Sequence, residues 1–234
     1  MDNENILTQL GVSPNAIQQF EVFFQRLVEY NSHTNITAIV DRQDVFVKHF
    51  ADSILPQQRF LLNATILDMG CGAGFPSIPL AIVRPDLQFV LVDSVGKKIK
   101  FVEQIINELS LTNITTVHSR AEELKTKQIN TKPYLQYFDY GIARAVAKMS
   151  TLAEYILPFV KIGGQMIAYK SQTIDDELQQ ANRAITLLGG QIQQNWSQTI
   201  PCTDITRHFI IIQKKSQTPL SYPRGQNKPR TNPL

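Results

Sequence analysis

Apolar residues recur at helical spacing near the start of the chain and in short strand-like bursts after it. Ser13-Pro14 has the form of a helix start, with Ser as N-cap and Pro at the first helical position. Ile17, Phe20, Phe24 and Leu27 follow three or four residues apart, which predicts an amphipathic helix to about Tyr30. Val45, Phe46, His49 and Phe50 predict a second helix over 42–55. From Ala64 the pattern alternates. Strands are predicted at 65–69, 88–92 and 114–118, with a fourth ending around 138–142. Between them come a helix starting near Pro76 and one over 95–109, whose Ile99, Val102, Ile105, Ile106 and Leu109 face inward. A helix over 148–157 and a strand over 165–169 follow, the latter after Gly163-Gly164. A helix over 173–188 is stopped by Gly189-Gly190. Strands at 191–199 and 207–213 close the pattern.

Strands alternating with helices call for a mostly parallel sheet covered on both faces. The last two strands leave no room for a packed helix between them, so they are expected as an antiparallel terminal hairpin. The resulting division is a helical cap over 1–60, an α/β domain over 61–213 and a basic, flexible tail over 214–234.

Composition narrows the class. The chain has 234 residues, 43% hydrophobic and 18% charged, enough to bury a sizeable core. A net charge of +3 is too small to establish a nucleic-acid partner, but the charge is uneven: Lys214, Lys215, Arg224, Lys228 and Arg230 lie in a tail without acids. Cys71 and Cys202 are the only cysteines, so there is no disulfide framework and no metal-ligand cluster. The N-terminal residues lack the order of an export signal, and no apolar run is long enough for a bilayer. The expectation is a cytoplasmic, monomeric protein.

The most informative chemistry lies at Ile66-Leu67-Asp68-Met69-Gly70-Cys71-Gly72-Ala73-Gly74-Phe75. A strand, a glycine-rich turn and a helix form the nucleotide-binding corner of an open α/β sheet. The spacing is Gly-x-Gly-x-Gly, not the Gly-x-Gly-x-x-Gly of dehydrogenases. Asp68 precedes the first glycine by two residues. A carboxylate there repels a pyrophosphate but attracts the ammonium and sulfonium of S-adenosylmethionine. The alternative for Asp68 is an acid at a helix N-terminus. Asp93, about 20 residues past Gly70, sits where an acid accepts hydrogen bonds from ribose hydroxyls; its alternative is a helix cap. Ala121 and Glu122 follow the third strand, where their backbone can frame an adenine; a solvated charge run is the alternative for Glu122. Arg144, among small residues past the fourth strand, suits a carboxylate of the cofactor or a substrate phosphate, or else an ion pair to Glu122 or Asp139.

Absences matter too. No Asp-Pro-Pro-Tyr or Asn-Pro-Pro-Tyr follows the fourth strand, so the signature for methylating exocyclic amines is missing. Pro201-Cys202 has the form used by cytosine C5 methyltransferases but lies on the wrong side of the domain. Cys71 reads as a small filler. The histidines show no triad or metal spacing; His49 is the least settled, because Lys48-His49-Phe50-Ala51-Asp52-Ser53 gathers polar groups at a helix end.

These motifs together resemble the bacterial glucose-inhibited division protein B family, the RsmG-type 16S ribosomal RNA guanine-N7 methyltransferases. The resemblance runs from Asn35-Ile36-Thr37-Ala38 through Lys48–Ser53, Leu67–Pro76, Lys97-Lys98 with Phe101, and Arg120-Ala121-Glu122. It continues through Ala143-Arg144-Ala145-Val146-Ala147 and Leu157-Pro158 with Gly163-Gly164, to Tyr222-Pro223-Arg224 and Pro233-Leu234. Cys71, Ser77 and Ser171 depart from the usual Ser, Gly and Gly. The resemblance implies a class I S-adenosylmethionine-dependent methyltransferase fold with a mostly parallel seven-stranded sheet. It implies cofactor contacts at Gly70, Phe75, Ala121, Glu122 and Arg144, beside Asp68, Gly72 and Asp93 from the residues themselves. It also implies a guanine of 16S ribosomal RNA, or the small ribosomal subunit, as partner. Lys48, Lys97, Lys98, Arg207, Arg224, Lys228 and Arg230 are the candidate RNA contacts, and Arg144 the candidate positioning residue for methyl transfer. No metal is expected. A small-molecule methyltransferase and a non-catalytic ribosome-assembly factor are the competing readings.

Overall fold

The computed structural model describes residues 3–129, 131–144, 147–172 and 175–234. Ala145 and Val146 of the motif around Arg144, and Thr173 and Ile174 of the helix expected over 173–188, lie outside the described residues. Seven strands form the main sheet: β1 Thr65–Met69, β2 Gln88–Asp93, β3 Ile114–His118, β4 Phe138–Arg144, β5 Val160–Lys170, β6 Gly190–Thr199 and β7 Thr206–Lys214. Their order is β3-β2-β1-β4-β5-β7-β6. β1 to β5 run parallel, and β7 runs antiparallel to both neighbours. The expected terminal hairpin is therefore present, but its second strand inserts between β5 and β6, which leaves β6 as the edge. Chain order reverses between β1 and β4. In an open α/β sheet this reversal opens a crevice at the strands' carboxyl ends.

Most expected elements fall within a few residues of their positions. β5 is the main exception. It begins at Val160 and contains Gly163-Gly164, with pairing that jumps from Phe138↔Val160 to Tyr140↔Gln165. The glycine pair thus lies in a bulge within the strand, not in a turn before it. Two elements carry no strong sequence signal: a first helix, α1 Asn3–Gln9, and a two-residue ladder between Gln128–Ile129 and Lys132–Pro133.

The second helix, α2, spans Pro14–Thr34, one turn longer than expected. The Ser13 hydroxyl accepts from Ala16 N–H at 3.3 Å, and Asn35 ends the helix in the left-handed region at φ 47°. Its fully buried face is Ala16, Phe20, Phe23 and Leu27, while Ile17 and Phe24 flank it half-buried. A helical stretch over residues 42–54, here α3, is built from Arg42–Val45, a π-helical segment Phe46–Ala51 and Asp52–Ile54. Phe23 stacks on Phe75 with ring centroids 5.2 Å apart and lies 5.4 Å from Phe50 and 6.2 Å from Phe101. The N-terminal helices therefore share one apolar cluster with the sheet's covering helix over Gly96–Glu108. A second cluster fills the opposite face, built on Leu67, Val90, Leu152 and Ile210.

The segment after Lys215, expected as a flexible tail, lies along the domain and ends in a short helix, Lys228–Thr231. Arg224 reaches the fully buried Glu154 carboxylate on the helix Met149–Ile156, at 2.8 Å from Nε and 2.7 Å from Nη2. The Thr151 hydroxyl donates to the Pro229 carbonyl at 2.7 Å. A carboxylate removed from water needs such partners, so charge compensation draws the basic segment in.

Phe23→Ala should cost about 3–5 kcal/mol of stability, because the cavity opens between α2, α3 and the sheet domain. Urea unfolding followed by circular dichroism checks this, and a loss below about 1 kcal/mol would contradict the shared core.

Candidate functional site

A cavity of about 820 Å³ opens at the carboxyl ends of the strands, at the β1/β4 reversal. Its floor is the turn after β1. Gly74 adopts φ +92°, and a Cβ there would sit 2.3 Å from Ile78 Cδ1, so only glycine lets the turn meet the following helix, Ser77–Val83. Gly72 adopts φ +59°, and a Cβ there would enter open space. Asp93 closes β2 and holds the turn: its Oδ2 accepts from Gly72 N–H at 3.0 Å and its Oδ1 from Val95 N–H at 2.9 Å. Asp93 thus bonds the residue before the helix Gly96–Glu108 and no N–H of that helix, and each of its oxygens keeps a lone pair for a ligand hydroxyl.

Asp68 lies behind this floor, fully buried, and does not line the cavity. Its Oδ2 accepts from the Ser77 hydroxyl at 2.6 Å, and Oδ1 has no partner among the described residues. Burial pushes the Asp68 carboxyl up to about 7, against the pull of Ser77 and Arg144. Asp68 is therefore tied to the start of the helix Ser77–Val83 and is not exposed to the cavity.

The opposite wall comes from the N-terminal helices. Arg144, at the end of β4, donates to Asp52 Oδ2 at 3.1 Å and to the Lys48 carbonyl at 3.2 Å. Its other nitrogen, Nη2, lies 3.1 Å from His49 Nδ1. Its carboxylate partner is Asp52, not Glu122 or Asp139; Asp139 instead pairs with Lys161 at 2.7 Å. Arg207 Nε donates to Asp52 Oδ1 at 3.1 Å, so one buried carboxylate bridges two guanidiniums. Burial pushes the Asp52 carboxyl up, and Arg144 and Arg207 oppose it. The Phe75 ring packs against the His49 ring, 4.3 Å away, and the Arg144 guanidinium, 5.0 Å away. Arginine can only donate, so His49 Nδ1 accepts and its Nε2 carries the proton, 3.1 Å from Thr37 Oγ1. Burial and the neighbouring Arg144 hold His49 neutral, with its pKa lowered to about 3.

A family model described as rRNA small subunit methyltransferase G (GidB) matches residues 16–208. The ribosomal RNA small subunit methyltransferase G of Lachnoclostridium phytofermentans is 43% identical over 232 residues, covering 97% of this chain and 94% of its own. The protein of the same name from Streptococcus pyogenes is 43% identical over 227 residues, covering 96% and 94%. This chain belongs to the rRNA small subunit methyltransferase G family. Solved structures of lower identity share its fold. One is a SAM-dependent methyltransferase from Aquifex aeolicus, with TM-score 0.53 and 14% identity, covering 76% of this chain and 96% of that one. Another is M. jannaschii TYW2 in complex with AdoMet, with TM-score 0.52 and 15% identity, covering 69% and 74%.

Within this family member, the structure brings Gly70, Gly72, Phe75, Asp93, Ala121, Glu122 and Arg144 around one cavity. Of the candidate RNA contacts, Lys48, Lys98, Arg207 and Arg230 also line it. Lys97 lies outside it, donating to the Thr34 carbonyl at 2.6 Å. Arg224 is engaged by Glu154, and Lys228 is exposed away from the lining. Lys48 is held by Asp44 at 2.8 Å. Cys202 lies outside the cavity, and Cys71 is buried in the turn with its thiol pushed up. Among the described residues no group of His, Cys, Asp and Glu is placed to hold a metal ion. No helix among them is long and apolar enough to cross a membrane.

Sequence reasoning missed Asp52, Thr37 and Asn227. The Lys48–Ser53 cluster was the available signal for the first of these. The π-helical segment displaces the side chains from ordinary helical positions, and such segments gather at functional sites.

His49 titrates near 6.5 when unfolded and about 3 when folded, so the unfolded chain takes up the proton first as pH falls. The stability advantage of the native chain over His49→Gln should shrink by about 2 kcal/mol between pH 7 and pH 5. Urea unfolding of both at the two pH values tests it; an advantage independent of pH would show that His49 is not held neutral.

Proposed function

We propose that this chain transfers a methyl group from S-adenosylmethionine to N7 of a guanine in small-subunit ribosomal RNA. The observation that carries this reading is the cavity itself: a glycine turn tied to Asp93 on one side, facing Arg144 and His49 on the other, in a chain of this family. The residues present fit the cofactor. The space above Gly72 admits a ligand against the backbone, and Asp93 and Glu122 offer acceptors for hydroxyl or amino groups. A cation brought to the turn offsets the cost of ionising Asp68. S-adenosylmethionine, when bound, supplies a methyl group on a positively charged sulfur.

The chain's own groups then position and do not deprotonate. Guanine N7 has an in-plane lone pair and loses no proton on methylation, so no general base is required. His49 agrees with this, because it is neutral with one ring nitrogen beside Arg144 and the other beside Thr37. Arg144 is fixed by Asp52 and by the Lys48 carbonyl before any substrate arrives. A fixed donor-only group beside the reacting centre suits an acceptor such as guanine O6 or a phosphate oxygen. Holding the reactants in line is the dominant contribution expected here, on the order of 7–11 kcal/mol. Lys98, Arg207 and Arg230 at the rim suit the RNA backbone.

Arg144→Ala should lower methyl incorporation into small-subunit RNA by about 100-fold, as expected of a misplaced reacting pair. Arg207 keeps Asp52 compensated in this variant, so the fold should survive. Unchanged incorporation with an intact thermal transition would remove Arg144 from the reaction. Deleting the gene and mapping the lost N7-methylguanine tests the target base.

Lys98→Ala should lower the slope of log K against log salt for RNA binding by about one. Filter binding across a salt series checks this, and an unchanged slope would take Lys98 off the RNA path.

A further inference from the structure

We infer that the C-terminal segment, residues 223–232, is a wall of the cofactor cavity and that its docking on Glu154 sets cofactor affinity. This rests on the cofactor reading above. The segment lies beyond residue 208, where the family match ends. Asn227 and Arg230 line the same cavity as the glycine turn. The Asn227 backbone N–H donates to Glu122 Oε1 at 3.2 Å, while Glu122 Oε2 has no hydrogen-bond partner among the described residues. Glu122 is thus oriented from the C-terminal side and keeps one oxygen as an acceptor for a nucleoside amino or hydroxyl group.

The docking itself is strong chemistry. Glu154 is fully buried and accepts from the Arg224 backbone N–H at 2.8 Å as well as from two guanidinium nitrogens. The Lys125 ammonium donates to the Pro223 carbonyl at 3.4 Å, and Pro229 is buried beside the Thr151 hydroxyl. A bidentate arginine on a buried carboxylate fixes both position and angle. Releasing it would expose the Glu122 side of the cavity to water and free the Glu122 side chain.

Two measurements on the full chain test this, with S-adenosylhomocysteine as the probe. In hydrogen–deuterium exchange, saturating probe should slow the amides of 223–232 at least tenfold, together with those of the glycine turn. By calorimetry, Arg224→Ala should raise the dissociation constant of the probe at least tenfold. Slowing of the glycine turn without slowing of 223–232, or an unchanged dissociation constant in Arg224→Ala, would overturn the wall and leave the cofactor reading standing. No heat and no slowing anywhere would overturn the cofactor reading and the wall with it. Should Arg224→Ala fail to fold, the exchange measurement on the native chain decides alone.

Discussion

The Asp52 carboxylate, buried between the Arg144 and Arg207 guanidiniums at 3.1 Å on each side, joins three parts of the chain that are far apart in sequence. Asp52 comes from the N-terminal helical stretch, Arg144 from the end of β4 and Arg207 from the antiparallel β7. Charges taken out of water cost several kcal/mol each unless they are paired and hydrogen-bonded. The pairing therefore restricts how the N-terminal helices can sit on the sheet. Once they sit that way, the Lys48 carbonyl and the His49 ring reach Arg144, and Phe75 packs against both ring and guanidinium. A site wall that looks like a set of separate contacts follows from one electrostatic constraint.

The same logic recurs at the other end of the cavity. Glu154 is a buried acid whose compensation comes from Arg224, and this draws a basic C-terminal segment onto the domain. Lys214 shows the converse: a buried ammonium, its pKa lowered to about 8, donating to the Leu157 and Leu188 carbonyls at 2.8 and 2.9 Å. In each case a charged residue near the chain's end is used to close the fold. That limits which of the basic residues remain for a polyanion. Lys98 and Arg230 stay on the cavity rim, whereas Arg207 is engaged by Asp52 and Arg224 by Glu154.

The two buried titrating groups of the site pull in opposite directions. His49 is held neutral, with its folded pKa near 3, so it weakens the fold as pH drops below 6.5. Asp68 has its folded pKa raised to about 7, so it weakens the fold as pH rises above its unfolded value of 3.8. Between these limits the two slopes offset. The net pH dependence of stability is then flatter between 3.8 and 6.5 than either group alone would give.

Local pattern determined the strands, the glycine turn and the two acids near the ends of β1 and β2. Apolar runs and glycines act within a few residues, and a strand–turn–helix corner has few other conformations. Thr65–Met69 and Ile114–His118 appear where the pattern puts them. The buried face of α2 shows the limit of this reading: Phe23, not Phe24, points fully inward, because the choice depends on Phe50 and Phe75 across the interface. Arg144 was visible as an unusual charge among small residues, yet its partner was not. Asp52 lies just after the π-helical segment, 92 residues away, and no local rule pairs the two. The fate of the C-terminal segment was likewise beyond local reading. Its composition is that of a solvated tail, and only a buried carboxylate on another helix, reached through the fold, turns it into structure.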